Sequence, residues 1–182
     1  VNMHTPDVYA DRQSKGSGVD ERFRHQTRSS SVIKGLPIED YIRKMDEAGI
    51  ERSLLVATRN GDLNVRGSYH LAYEKVADVC RKYPDRFSGL AGIDPTLGLK
   101  QLQDLDYAIK ELGFVGAHYY PHWYDIEPDH PYIFPVYGKC AELDVPIMMQ
   151  VGQNLIYQKH RRLPSVGRPI CLDRVAILYP EL

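Results

Sequence analysis

The chain has 182 residues, 43% of them hydrophobic, and a formal net charge of −1 at pH 7, a composition that supports one well-buried core and excludes disorder as the default. Its 23 Lys and Arg and 24 Asp and Glu are spread along the sequence, so there is no electrostatic footprint for nucleic acid or an anionic membrane. No apolar run approaches the ~20 residues of a bilayer span and no charged-then-apolar leader opens the chain, so the expected location is cytoplasmic.

Taken in order, Met3-His4-Thr5-Pro6 reads as the end of a first strand. Residues 11–35 are polar, rich in Ser and Gly and without period, and are expected to form a long loop, either disordered or an active-site insertion. Ile38, Tyr41, Ile42 and Met45 then carry helical periodicity, and the apolar run Arg52–Thr58 reads as a strand. The pattern repeats. Leu71, Val76, Val79 and Cys80 mark a second helix before the strand Phe87–Ile93, and Leu102, Leu105, Ala108, Ile109 and Leu112 a third before Phe114–Tyr119. A fourth helix through Phe134, Tyr137, Cys140, Ala141 and Leu143 precedes the strand Val145–Gln150, and Leu172, Val175, Ala176 and Tyr179 suggest a fifth. The units recur at roughly the 30 residues of a βα module. Their strands are mostly apolar rather than alternating, as expected of a parallel sheet covered by helices.

This count gives the tail of one strand, four further strands and five helices, with a motif interrupted at each end. A closed (β/α)8 barrel takes about 250 residues, so the expected fold class is α/β, a TIM barrel of which about the first five βα units are present, as one domain over residues 1–182. Two open strand edges would remain, and a possible homo-oligomer follows from them. Cys80, Cys140 and Cys171 are odd in number and lie among apolar residues, which reads as buried reduced thiols rather than metal ligands or nucleophiles.

Candidate functional residues gather at the predicted strand ends, where barrels place their chemistry. In Gly113–Asp125, His118, Tyr120 and His122 share one parity while Tyr119 takes the other. His118 and His122 are candidates for acid/base work or carboxylate binding; the alternatives are a core histidine and a loop surface residue. Tyr120 belongs to the same substrate-facing wall, and Trp123 with Tyr124 could line an apolar or aromatic pocket or simply pack the loop. Gln150 follows two methionines, so a buried amide there needs a partner that substrate or water could supply. Arg59, in Arg59-Asn-Gly-Asp62, is either a clamp for a substrate carboxylate or part of a solvated turn. Asp94-Pro95 reads as a turn and helix entry, and Lys159–Arg162 as solvent-facing. Walker, GxGxxG and GxSxG motifs are absent from the sequence, so nucleotide and acyl-serine chemistry have no support.

Met45–Ser53 through Val56, Lys82–Phe87 with Gly92-Ile-Asp-Pro95, Leu112–Gly116 with Pro121, Tyr137–Ile147, and Leu172–Val175 with Tyr179–Leu182 together resemble the amidohydrolase-related family. This is the branch of the amidohydrolase superfamily that includes aminocarboxymuconate-semialdehyde and resorcylate decarboxylases. The resemblance covers about residues 36–182 and implies a metal-dependent TIM-barrel enzyme acting on a small-molecule substrate, with zinc or manganese as the divalent metal. It implies hydrolysis of a small carboxylated or cyclic substrate or, alternatively, nonoxidative decarboxylation; a ligand-binding barrel that has lost catalysis is the other alternative. The family's His-x-His or Glu-x-His pair on the first strand corresponds to Asn2-Met3-His4, so His4 matches and Asn2 departs. A further histidine ligand corresponds to Gln150, a second departure. Neutral amides are weak ligands for such metals.

Overall fold

The structure, a computed structural model, describes residues 1–15, 34–61, 68–152 and 166–182. Its centre is a parallel sheet of β1 (Ser53–Ala57), β4 (Phe87–Ile93), β5 (Gly116–Tyr119) and β6 (Ile147–Met149) in that spatial order. Asn2 extends the sheet by a parallel bridge to Val56. Before, between and after these strands run α2 (Ile38–Glu47), α3 (Tyr73–Lys82), α4 (Leu99–Lys110), α6 (Phe134–Glu142) and α7 (Cys171–Leu178), the five helices expected from periodicity. Two further helices are α1 (Pro6–Ser14) and the one-turn α5 (Pro121–Tyr124), and β2 (Arg59–Asn60) pairs antiparallel with β3 (Tyr69–His70). The helix α1 corrects the expected loop at its start: residues 11–14 are helical, with Pro6 at the first helical position, where a missing N–H costs nothing. Most of that loop, together with Asp62 and Lys159–Arg162, lies outside the described residues.

The strands sort their side chains by parity. Leu55, Ala57, Phe87, Ala91, Ile93, Ala117 and Tyr119 face the helices and pack with Met45, Val76, Leu105, Val136 and Tyr137 in one continuous core. Val56, Leu90 and Tyr120 point the other way and form a separate small cluster with Trp123. Register places Val56 beside Leu90 and Leu90 beside Gly116, then Gly92 beside His118 and His118 beside Met148. Leu54 and Met148, each 42% exposed, belong to this second face. A face left partly uncovered in this way is one that further barrel units would cover.

Gly92 marks a crossing of chains. A Cβ there would sit 2.1 Å from the Ala57 carbonyl oxygen and 2.7 Å from Arg59 N, so only glycine lets the end of β1 pass over β4. Cys140 and Cys171 are buried and Cys80 is half-buried, all three free thiols.

Candidate active site

The C-terminal ends of β4, β5 and β6 converge on His118 and Tyr120. His118 is 5% exposed and its ring lies 4.2 Å from that of Tyr120 at an interplanar angle of 52°. Its Nδ1 is buried without a hydrogen-bond partner. Burial lowers its pKa to about 4, so the imidazole is neutral at pH 7. Burial pushes the Tyr120 phenol up to about 12, against a smaller lowering from its bond to Asn2. The Tyr120 hydroxyl donates a short hydrogen bond to Asn2 Oδ1.

Residues 121–125 turn the wall inward. Tyr120 is extended, Pro121 opens α5, and Asp125 closes it in the left-handed region at φ 57°. Trp123 is brought onto Val56, Leu90 and Tyr120. Tyr124 donates to the Arg59 carbonyl at 3.0 Å, tying the turn to the end of β1. His122 Nε2 lies 2.7 Å from the Gly152 carbonyl and therefore donates to it, which joins α5 to the segment after β6; its Nδ1 is buried without a partner. The single parity expected of His118, Tyr120 and His122 holds for the first two, and α5 takes His122 off the strand. Gln150 is half-buried and its backbone N–H bonds the Tyr119 carbonyl at 3.1 Å, which sets it beside Tyr120.

Arg59 takes a different place from the carboxylate clamp the sequence suggested. Its guanidinium, on a residue 8% exposed, donates to Gln101 Oε1 and Asp104 Oδ2, both at 2.7 Å, and stacks 4.6 Å from the Tyr73 ring centroid. Burial favours a neutral Asp104, but hydrogen bonds from Lys100 and Arg59 outweigh it and hold the carboxyl below its ordinary range. The physical reason for this placement is electrostatic: a buried guanidinium takes the nearest fixed carboxylate, and α4 supplies one.

The structure also brings together residues that the sequence did not single out as a pair. Asp94, fully buried, caps the turn at Pro95–Leu97 by accepting from Thr96 N at 2.9 Å. His70 Nε2 stands 3.1 Å from Asp94 Oδ2 and 3.1 Å from the Gly61 carbonyl. No sequence signal relates positions 70 and 94, because the contact depends on the short β2–β3 pairing.

His4 stands edge-on to Tyr9, with centroids 6.1 Å apart. It lines a cavity of about 450 Å³ that runs along the first strand, with Asn2, Leu36, Ile38, Tyr41 and Leu55 among the walls. His4 suits a divalent metal as an imidazole donor. Asn2 Oδ1 is a weak donor already engaged by Tyr120. A zinc-type site rests on three strong protein ligands, so a metal held through His4 needs two donors besides those the described residues place near it. Among the described residues, the group of three His, Cys, Asp or Glu side chains close enough to share an ion is Glu127, Asp129 and Cys171. Its carboxylates approach Arg168 and Arg174 at 3.4 and 3.8 Å. No helix among the described residues is long and apolar enough to cross a membrane.

Comparison with solved structures finds 5-carboxyvanillate decarboxylase from Novosphingobium aromaticivorans, crystallised with manganese and 4-hydroxy-3-methoxy-5-nitrobenzoic acid. It is 25% identical with a TM-score of 0.63, over 84% of this chain and 49% of that one. A dihydroxybenzoic acid decarboxylase from Polaromonas sp. JS666, with manganese and 2-nitroresorcinol, is also 25% identical, with a TM-score of 0.52 over 79% of this chain and 44% of that one. A TIM-barrel protein from Bordetella bronchiseptica, at 20% identity and a TM-score of 0.63, covers 98% of this chain and 59% of its own and speaks for the fold. The chain thus spans about half the length of these structures. Among curated proteins no match is found. The family profile for amidohydrolases matches residues 18–182, and with the barrel neighbours and the parallel βα order this chain belongs to the amidohydrolase family.

Proposed function

We propose that the protein removes carbon dioxide nonoxidatively from a hydroxylated aromatic acid. The observation that carries this reading is that the two structures at 25% identity described above are both decarboxylases. The wall built by this chain supports it. Trp123 and Tyr120, packed on Val56 and Leu90, offer flat apolar surface for an aromatic ring. His118 Nδ1, buried and unpaired, is a hydrogen-bonding position that a substrate hydroxyl or carboxyl would satisfy.

The roles divide by protonation state. With a pKa of about 4, His118 is neutral under physiological conditions and orients the substrate; it does not hold the proton that must replace the departing carboxylate. Tyr120 keeps its proton, which it donates to Asn2 Oδ1, and offers its ring face and oxygen lone pairs to the substrate. His122, held by Gly152, fixes the turn that carries Trp123. Gln150, beside Tyr120, is a substrate-facing amide. A divalent metal, manganese or zinc, with His4 as one ligand would supply positive charge against the substrate carboxylate.

Hydrolysis of a small carboxylated or cyclic substrate is the second reading and rests on family membership alone. Turnover assays on the full-length protein separate the two. Release of carbon dioxide from hydroxybenzoates is expected; acid release from amides or lactones, with no carbon dioxide from any hydroxybenzoate, would sink the decarboxylase reading.

A further inference from the structure

His70 lies on β3 and Asp94 at the end of β4, both outside the wall formed by His118, Tyr120 and Trp123. Asp94 has no exposed surface, and a buried carboxylate is costly unless its oxygens are matched by donors. Its Oδ1 takes two, Thr96 N at 2.9 Å and Thr96 Oγ1 at 2.5 Å. Its Oδ2 receives no well-directed hydrogen bond, and His70 Nε2 stands 3.1 Å away. The same nitrogen stands 3.1 Å from the Gly61 carbonyl. Both neighbours of Nε2 can only accept, so Nε2 carries the ring proton and Nδ1 carries the lone pair. Nδ1 is neither bonded among the described residues nor sealed from solvent, and the side chain keeps 13% of its surface exposed.

The pair stands next to the proposed site. Gly61, which accepts from His70, neighbours Trp123: a Cβ added there would lie in ordinary contact with the indole, at 3.5 Å. Asp94 follows Ile93, the register partner of Tyr119, so it ends its strand level with Tyr120.

We infer that His70, held by the Gly61 carbonyl and facing the Asp94 carboxylate, is a proton-transfer residue of this site and accepts the proton of a substrate hydroxyl at Nδ1. The inference rests on the proposed hydroxylated substrate. In the step, the O–H bond breaks, an N–H bond forms at Nδ1, and the electron pair stays on the substrate oxygen. The imidazolium so formed lies against the Asp94 carboxylate, and its proton later returns to solvent. A carboxylate that fixes the tautomer of a histidine base is a recurring arrangement. From neighbouring elements, the phenols of Tyr73, Tyr119 and Tyr124 have their pKa values raised by burial and further by the Asp94 carboxylate, which acts on all three.

The test uses ¹⁵N-labelled full-length protein. Long-range proton–nitrogen NMR should show His70 as the Nε2–H tautomer, moving toward Nδ1–H in Asp94→Asn, whose amide can donate to Nε2. Saturating salicylate should shift the His70 ring signals. With a turned-over hydroxybenzoate, His70→Gln should lower kcat by about 10²-fold or more with KM little changed and should remove one limb of the pH profile. An Nδ1–H tautomer in the unmodified protein, ring signals indifferent to salicylate, or a His70→Gln variant with unchanged kcat and pH profile would each overturn the inference. If no hydroxybenzoate is decarboxylated but the tautomer and the salicylate shift are as expected, the decarboxylase reading fails and the proton-accepting role stands.

Discussion

The Tyr120 hydroxyl donates to Asn2 Oδ1 across 118 positions of sequence, so the amide beside the bridge from Asn2 to Val56 is held by the aromatic wall. Replacing Tyr120 by Phe removes this bond and leaves the amide oxygen free. The expected outcome is a fall in kcat/KM of about 10-fold or more, since a hydrogen bond of this kind contributes roughly 1 kcal/mol or somewhat above. Steady-state kinetics together with a thermal melt would separate this from a loss of fold; unchanged kcat/KM would remove Tyr120 from the site.

His118 predicts a pH dependence of stability. Its folded pKa of about 4 lies below the ordinary 6.5, so between those values the unfolded chain binds a proton that the folded chain refuses. Stability is therefore full above about pH 6.5 and falls as pH drops toward 4, by up to about 3 kcal/mol for this group. Urea midpoints measured at pH 7.5 and 4.5 should differ less in His118→Phe than in the unmodified protein. Equal differences would show that the group titrates normally.

The Arg59–Asp104 pair, with side chains 10% and 19% exposed, is sensitive to removal of one partner. Asp104→Ala leaves a buried guanidinium with the Tyr73 ring and the Gln101 amide but no carboxylate, and a loss of roughly 3 kcal/mol is expected. A double-mutant cycle with Arg59→Met measures the coupling, and a coupling near zero would mean that the guanidinium is solvated in place. Because the Arg59 carbonyl holds Tyr124, the kinetic effect should accompany the stability loss rather than precede it.

His4 as a metal ligand is checked by metal analysis of the purified full-length protein. His4→Ala is expected to lower bound zinc or manganese at least 10-fold in affinity, and a strong chelator to abolish turnover. Metal content indifferent to His4→Ala would reassign the ligand.

A core substitution provides the structural control. Leu105 is fully buried in the helix-facing core, and Leu105→Ala should cost about 2–5 kcal/mol while leaving KM unchanged in the folded fraction.

Much of the architecture was legible in the sequence because the strands are apolar runs and the helices carry a clear period. Phe87–Ile93 was read to its observed ends. The polar helix Pro6–Ser14 was not, because only Val8 and Arg12 are buried in it and two buried positions make no stripe. The site was legible to the extent that strand parity decides it: His118 and Tyr120 on one face, Tyr119 on the other. The pairing of Arg59 was not legible, since its partners, Gln101 and Asp104, lie 42 and 45 residues away. His70 escaped notice for a related reason, because a two-residue strand such as Tyr69–His70 has no periodicity to read.

The opposed faces of β5 bind the chemistry of this protein to its stability. A slip of one residue in the pairing of Gly116–Tyr119 would send Tyr119 and Ala117, both without exposed surface, into the barrel interior and His118 into the helix-facing core. The strand cannot tolerate that exchange without losing a fully buried tyrosine from its core. An insertion or deletion of one residue between Phe114 and Tyr120 therefore needs a bulge to restore the two faces, whereas a change of two keeps them.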